Sequence, residues 1–85
     1  MDHRTDNWIL TAQCPSRLGT VDVVTGFLKE SRCYITEQHS FDDRLSGRFF
    51  IRTEFRPQAG DFNADAFEAG FAERAAAFDM SFELT

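Results

Sequence analysis

The feature that most constrains this chain is a strand of alternating character that follows a turn sequence. The turn, at 42–47, contains paired aspartates, which can bond their own backbone, and a glycine, which tolerates a positive φ. In the segment that follows, alternate residues are apolar or small, and those between them are mostly charged. The first set is Phe49, Ile51, Thr53 and Phe55, and the second is Arg48, Phe50, Arg52 and Glu54. The pattern predicts a hairpin and a strand with one buried and one open face, with Phe50 as an aromatic residue on the open face.

Composition bounds the kind of protein. Ten phenylalanines among 85 residues, 42% of them hydrophobic, are enough for one domain with a single small core, which self-association would help to stabilise. The net charge of -5 argues against general phosphate binding, which needs clustered Lys and Arg. No apolar run approaches the roughly 18–20 residues that span a membrane, and residues 1–6 lack a signal-peptide core. We therefore expect a cytoplasmic protein with no membrane contact.

Six predicted elements follow one another in the order βαββαβ. Strands are expected at 8–13, 33–41, 48–55 and 80–84, with a bulge or an edge position for the irregular second strand. The first helix is predicted with Ser16 as N-cap and an apolar stripe of Leu18, Val21, Val24, Phe27 and Leu28. The second, capped by Asn63 or Asp61, has a stripe of Ala64, Phe67, Phe71, Ala75 and Phe78. With right-handed crossings this order predicts a ferredoxin-like sandwich, a four-stranded antiparallel sheet with two helices on one face.

The residues that could carry catalysis do not form a recognisable centre. Cys14 and Cys33 match no zinc spacing, and they fall at opposite ends of the predicted sheet, so two free thiols are expected. Cys14, at the head of a helix, is either a redox thiol or, as we favour, a small buried hydrophobe. His39 and Glu37 share a strand face but lack a third metal ligand. No triad or nucleophile elbow is present, so we expect no catalytic residue, metal or cofactor in this chain.

Two binding hypotheses remain. The loop 13–19 brings backbone N–H groups to a helix start, where a carboxylate or other small anion is stabilised, and Gly19 in the first turn permits close approach. The alternative is a tight strand-to-helix turn that packs only on the chain itself. Ser46 to Ile51 also partly echoes an RNA-recognition strand, with Trp8 or Phe50 as stacking platforms, but the acidic charge and Thr53 argue against nucleic acid.

Two motifs in this order of elements carry a resemblance to a known family. Cys14-Pro15-Ser16-Arg17-Leu18-Gly19 and Ser46-Gly47-Arg48-Phe49-Phe50-Ile51-Arg52 closely resemble the amino-terminal ACT domain of the formyltetrahydrofolate deformylases, and the likeness covers nearly the whole chain. The resemblance implies a single ACT domain over 1–85, separate from a carboxyl-terminal catalytic domain of the same polypeptide. It further implies that the full-length enzyme is a hydrolase that converts 10-formyltetrahydrofolate to tetrahydrofolate and formate for purine synthesis. This chain alone would then not be an enzyme.

The same resemblance implies a site and its partners. ACT domains typically bind an amino acid at a homodimer interface, between the loop before the first helix and the start of the partner's second strand. Gly19 matches the family's helix-start glycine, and Tyr34 stands where several members have asparagine. The predicted effector-binding residues are Cys14, Ser16, Arg17, Leu18, Gly19, Tyr34 and Ile35. The resemblance thus implies allosteric regulation by a small amino acid, and the alternative is an oligomerisation module without a ligand.

Overall fold

The computed structural model describes residues 7–58 and 60–85. Residues 1–6, which were interpreted as lacking a signal-peptide core, lie outside the described residues. Ala59, in the predicted loop, also lies outside them. The elements are β1 (Trp8–Pro15), α1 (Thr20–Glu30), β2 (Cys33–Asp43), β3 (Arg48–Pro57), α2 (Ala64–Ala77) and β4 (Ser81–Leu84). The predicted βαββαβ order is confirmed. Within the described ranges, no helix is long and apolar enough to cross a membrane.

The four strands form one sheet in the order β2-β3-β1-β4, and every neighbouring pair is antiparallel. Since β1 and β2 both run antiparallel to β3, they are parallel to each other. Cys14 faces Phe49 at one end of β3, and Cys33 faces Pro57 at the other end. Both cysteines are buried and free, as predicted, because their places in the sheet are too far apart for a disulfide.

The core lies between the helices and the predicted buried face of β3. Phe49, Ile51, Thr53 and Phe55 are all buried, so the alternation is confirmed. Aromatic rings from both layers pack on one another there. Phe55 stacks on Phe67 at 5.3 Å between ring centroids, and Phe27 meets the same ring edge-on at 5.0 Å. This packing of α1 and α2 on the sheet is the ferredoxin-like sandwich expected from the sequence.

The second helix begins where its cap predicts. The side-chain oxygen of Asn63 accepts a hydrogen bond from the Ala66 N–H at 3.0 Å, so Asn63 rather than Asp61 is the N-cap. Phe67, Phe71 and Ala75 of the predicted stripe are buried. The two ends of the stripe, Ala64 and Phe78, are only half-buried.

The prediction for the start of the first helix was wrong. The helix begins at Thr20, and its N-cap is Gly19, whose φ of 92° lies in the left-handed region. Ser16 is not the cap, because its hydroxyl donates to the carboxylate of Asp42 instead. Leu18, expected in the apolar stripe, is 97% exposed, since the left-handed turn at Gly19 separates it from the helix. Val24 and Leu28 of the predicted stripe are buried.

The second strand is irregular for both reasons that its sequence indicated. It is an edge strand, and its register against β3 shifts between Ile35 and Glu37. Thr36 occupies the bulge, where its hydroxyl donates to the Glu54 backbone oxygen at 3.2 Å. The hairpin that follows is closed by Asp43, whose backbone oxygen accepts from the Gly47 N–H at 2.9 Å.

Candidate functional site

The loop between β1 and α1, which we call the entry loop (residues 16–19), is anchored to the hairpin. The Ser16 N–H donates to the Gly47 oxygen at 2.9 Å, and the Ser16 hydroxyl donates to Asp42. The loop then turns through Gly19, whose oxygen accepts the first helical bond from the Val23 N–H at 3.0 Å. The amides of the helix residues before Val23 have no partner within the helix, as at any helix start. The anchored entry loop therefore holds the backbone donors of the first turn of α1 in a fixed orientation.

Arg17 and Leu18 have different surroundings within the entry loop. The Arg17 guanidinium carbon lies 4.6 Å from the centre of the Phe78 ring, and its Nη1 donates to the Ala77 oxygen at 3.3 Å. Leu18 projects into solvent. Of these two predicted contacts, Leu18 is free to meet a ligand or a partner, whereas Arg17 is engaged with the end of α2.

Cys14 is fully buried, on the face of β1 that carries Leu10 and Ala12. Burial raises the pKa of its thiol above the ordinary value of 9.0, and this effect outweighs the opposing charges of Arg48 and Arg17. A raised pKa lowers the thiolate fraction at neutral pH, so the thiol is not poised for redox chemistry. The interpretation of Cys14 as a buried hydrophobe is confirmed, and a ligand at the entry loop would meet its backbone rather than its sulfur.

Tyr34 and Ile35 lie beside an open depression of about 600 Å³ at the start of β2, which we call the β2 depression. The Tyr34 side chain is 60% exposed, and Ile35 is half-buried. Sequence reasoning missed the remaining lining residues, which include two cations at the end of α1. The lining consists of Thr25, Lys29, Arg32, Cys33, Tyr34, Ile35 and Gln58. Lys29 and Arg32 could have been found from the sequence, because they lie within five positions of Tyr34.

A single copy of the chain does not bring the two groups of predicted residues together. Cys14, beside the entry loop, faces Phe49 on β3, and Ile35 faces Phe55. These positions on β3 are separated by roughly 20 Å at about 3.4 Å per residue. The predicted site is therefore two half-sites at opposite ends of the sheet.

The open face of the sheet carries one of the two stacking residues that the RNA hypothesis offered, Phe50 but not Trp8. Phe50 is 37% exposed there, beside Phe41 at 63%. Trp8 lies on the opposite face, where its ring packs against Phe62 at 5.2 Å between centroids. Of the two residues offered, Phe50 is therefore the one that lies on the open face.

His39 and Glu37 are joined on the open face of the sheet but do not form a metal centre. The His39 Nε2 lies 2.7 Å from a Glu37 carboxylate oxygen, and this hydrogen bond lowers the pKa of Glu37. Both side chains are more than half exposed. Across residues 7–58 and 60–85 there is no group of three His, Cys, Asp or Glu side chains that could hold a metal ion. The pair is a surface contact.

Comparison with known proteins gives the chain a family. It is 41% identical over 76 residues to the formyltetrahydrofolate deformylase of Corynebacterium sp. (strain P-1), covering 89% of this chain and 27% of that protein. The structure matches a formyltetrahydrofolate deformylase of Pseudomonas putida KT2440 with a TM-score of 0.90 and 69% identity, over 94% of this chain and 28% of that one. The chain corresponds to the amino-terminal ACT domain of the formyltetrahydrofolate deformylases.

The ACT fold is also supported by a more distant structure. An ACT domain protein from Streptococcus pneumoniae superposes with a TM-score of 0.81 at 13% identity, covering 93% of this chain and 86% of that one. At this identity the likeness shows the fold alone. No family model matches the chain. The chain spans less than a third of the length of the deformylases that it matches.

Proposed function

We propose that this chain is the regulatory domain of a formyltetrahydrofolate deformylase, that it dimerises, and that it senses an amino acid. The full-length enzyme would hydrolyse 10-formyltetrahydrofolate to tetrahydrofolate and formate in a catalytic domain elsewhere in the polypeptide. The deformylase relatives support the enzyme, and the ACT fold supports a regulatory role. The exposed Leu18 of the entry loop and the two cations of the β2 depression support a binding role.

The observation that carries the proposal is the position of the half-sites relative to the β2 edge. The end of β2 is tied to the entry loop through Asp42 and Ser16, and the β2 depression lies at the start of the same strand. If two copies pair antiparallel along their β2 edges, the end of one strand meets the start of the other. Each entry loop then lies beside the partner's depression, which would give two complete sites per dimer.

The chemistry of this composite site suits an α-amino acid. The N–H groups at the start of α1, with the partial positive charge of the helix end, would bind the carboxylate. The cations Lys29 and Arg32 from the partner would add to this attraction, and the carboxylate of Asp42 would accept hydrogen bonds from the ammonium group. Tyr34 and Ile35 would contact the effector's side chain and set its preferred size.

Regulation requires that the effector bind one arrangement of the enzyme better than another. Binding at a composite site holds two copies in one relative orientation, and the attached catalytic domains would follow. A difference in affinity between the two arrangements of about 1–3 kcal/mol is typical of such coupling. The domain would thereby shift the population of active enzyme without touching its substrate.

An amide-resolved NMR titration of the chain with each proteinogenic amino acid tests the proposal. We expect one of them to cause saturable shifts confined to residues 16–20 and 33–35. Leu18→Ala should weaken its binding about tenfold, because burying a leucine side chain contributes about 1.5–3 kcal/mol. Leu45→Ala is the matched control, since Leu45 is 100% exposed at the hairpin tip and Leu18 is 97% exposed.

Two other results would each decide against sensing. If no amino acid shifts these amides, and turnover of the full-length enzyme is unchanged by all of them, the domain is an oligomerisation module without an effector. If a short single-stranded RNA instead shifts the resonances around Phe50, the open face binds nucleic acid. Phe50 and Phe41 are the exposed aromatic residues on which that outcome would depend.

A further inference from the structure

The entry loop is joined to the end of α2 by one aromatic side chain. The Phe78 ring lies under the Arg17 guanidinium at 4.6 Å, and its Cζ is the nearest atom to a Cβ built on Gly19, at 3.5 Å. Arg17 also donates to the Ala77 oxygen at 3.3 Å. Both sides of the entry loop therefore rest on residues 77–78. Phe78 is far from the entry loop in the sequence and was predicted only as part of the apolar stripe of α2.

The residues that follow Phe78 lead directly into β4. The N–H groups of Phe78 and Met80 both donate to the Ala75 oxygen, at 3.0 and 2.9 Å. Between them, Asp79 has a φ of 53°, which turns the chain back toward the sheet. Ser81 then pairs with Gln13 on β1, close to where the entry loop begins. A displacement of the Phe78 ring would thus reach the first residues of β4 through one short turn.

We propose that Arg17 and Phe78 form a latch that couples the entry loop to the start of β4. In this proposal they are positioning residues for the effector site, and the Arg17 guanidinium does not bind the effector. Arg17 holds the left-handed turn at Gly19 against the end of α2, which orients the N–H groups of the first helical turn. The latch itself is a property of the free chain, and its role in sensing rests on the proposed function.

A second arginine over a phenylalanine provides a matched control. The Arg74 guanidinium carbon lies 5.2 Å from the centre of the Phe27 ring, and Arg74 also binds Glu30. This pair joins α1 to α2 rather than the entry loop to α2. Both Arg17→Ala and Arg74→Ala remove a cation–π contact, and Arg74→Ala also removes the ion pair with Glu30. Only Arg17→Ala opens the latch.

Amide hydrogen exchange on the free chain tests the latch without any ligand. Arg17→Ala should speed exchange at Asp79 to Phe82 by about two- to fivefold, the range that follows from the strength of an exposed cation–π contact. Phe78→Leu, which keeps an apolar side chain but removes the ring, should have the same effect on these amides. Both variants should also speed exchange at Val23 to Thr25, the first amides of α1 that bond within the helix. Arg74→Ala should leave both segments unchanged relative to the rest of the chain. If exchange in these segments responds equally to Arg17→Ala and Arg74→Ala, or to neither, the latch is overturned.

Binding measurements separate positioning from direct contact. For an amino acid that binds, Arg17→Ala and Phe78→Leu should each weaken its affinity, and the double variant should be no weaker than the worse single variant, because both open one latch. Direct binding of the carboxylate by Arg17 would instead leave Phe78→Leu at wild-type affinity, which would refute the positioning role. If exchange changes as expected but no amino acid binds, the latch stands and the proposed sensing fails.

Discussion

At the scale of single residues, Gly70 sets how closely the two helices approach. A Cβ built on Gly70 would lie 3.0 Å from Cζ of Phe27, whereas one built on Gly26 in α1 would meet no heavy atom within 4 Å. The Phe27 ring cannot give way easily, because Phe67, Phe71 and Arg74 surround it. Gly70 is therefore a packing requirement, and Gly26 is not.

Substitution by alanine should have opposite effects on stability at Gly26 and at Gly70. Gly26→Ala should raise the free energy of unfolding by about 0.5–1 kcal/mol, the usual gain in a helix interior. Gly70→Ala should lower it by about 1 kcal/mol, because overpacking typically costs about 1–3 kcal/mol and exceeds the helix-propensity gain. Urea unfolding of both variants measures the difference. Equal stabilisation by the two alanines would show that the helices separate at little cost.

The buried thiols predict how stability depends on alkaline pH. Burial raises the pKa of both Cys14 and Cys33 above 9.0 in the folded chain. The unfolded chain therefore loses these protons first, so the cysteine contribution to stability is complete below pH 9 and is lost as the pH rises through the folded-state values. The free energy of unfolding, measured against pH, should fall more steeply above pH 9 in the native sequence than in a Cys14→Ala, Cys33→Ala variant. Parallel curves would contradict this.

At the scale of elements, the sequence correctly predicts the features that depend on contacts between residues close together in the chain. The alternation of β3, the Asn63 cap and the Asp43 turn each depend on residues within a few positions of one another. The start of α1 depends on a contact between residues far apart, because Ser16 donates to Asp42 across the sheet instead of capping the helix. A local pattern contains no information about such a partner. Leu18 was therefore placed in a stripe that it does not join.

The same distinction applies to the candidate site. The residues before α1 and at the start of β2 were predicted from a family resemblance, and in the structure Leu18 and Tyr34 are exposed. It also shows Arg17 resting on Phe78, a contact between residues distant in sequence that neither spacing nor resemblance indicated. The two half-sites meet only if a second copy is present, and no single-chain pattern determines how two copies pair.

At the scale of the whole molecule, the proposed dimer depends on the β2 edge. Lysine on an edge strand opposes pairing with another strand, because its charge must be desolvated or repelled. Ser40→Lys on β2 should therefore raise the dimer dissociation constant, measured by sedimentation equilibrium, by tenfold or more, at about 1.4 kcal/mol per tenfold. Ser81→Lys is the matched control, since it places the same exposed change on β4, the other edge strand.

Comparing Ser40→Lys with Ser81→Lys shows which edge of the sheet forms the dimer interface. A dimer weakened by Ser81→Lys but not by Ser40→Lys would place the interface on the β4 side, and the half-sites would then not meet. A native chain that remains monomeric at high concentration would contradict the dimer itself.

The pairing of β4 has a consequence for the order of folding. Ile9 and Thr85 exchange two backbone hydrogen bonds of 2.9 Å, so the first and last strands are neighbours although almost the whole chain separates them. Closing a loop of this length costs more entropy than closing the β2–β3 hairpin. A strand of four residues forms few contacts that could offset this cost. Folding should therefore start at the hairpin and end at β4. β4 is then the strand that detaches most readily, which leaves the rest of the sheet in place.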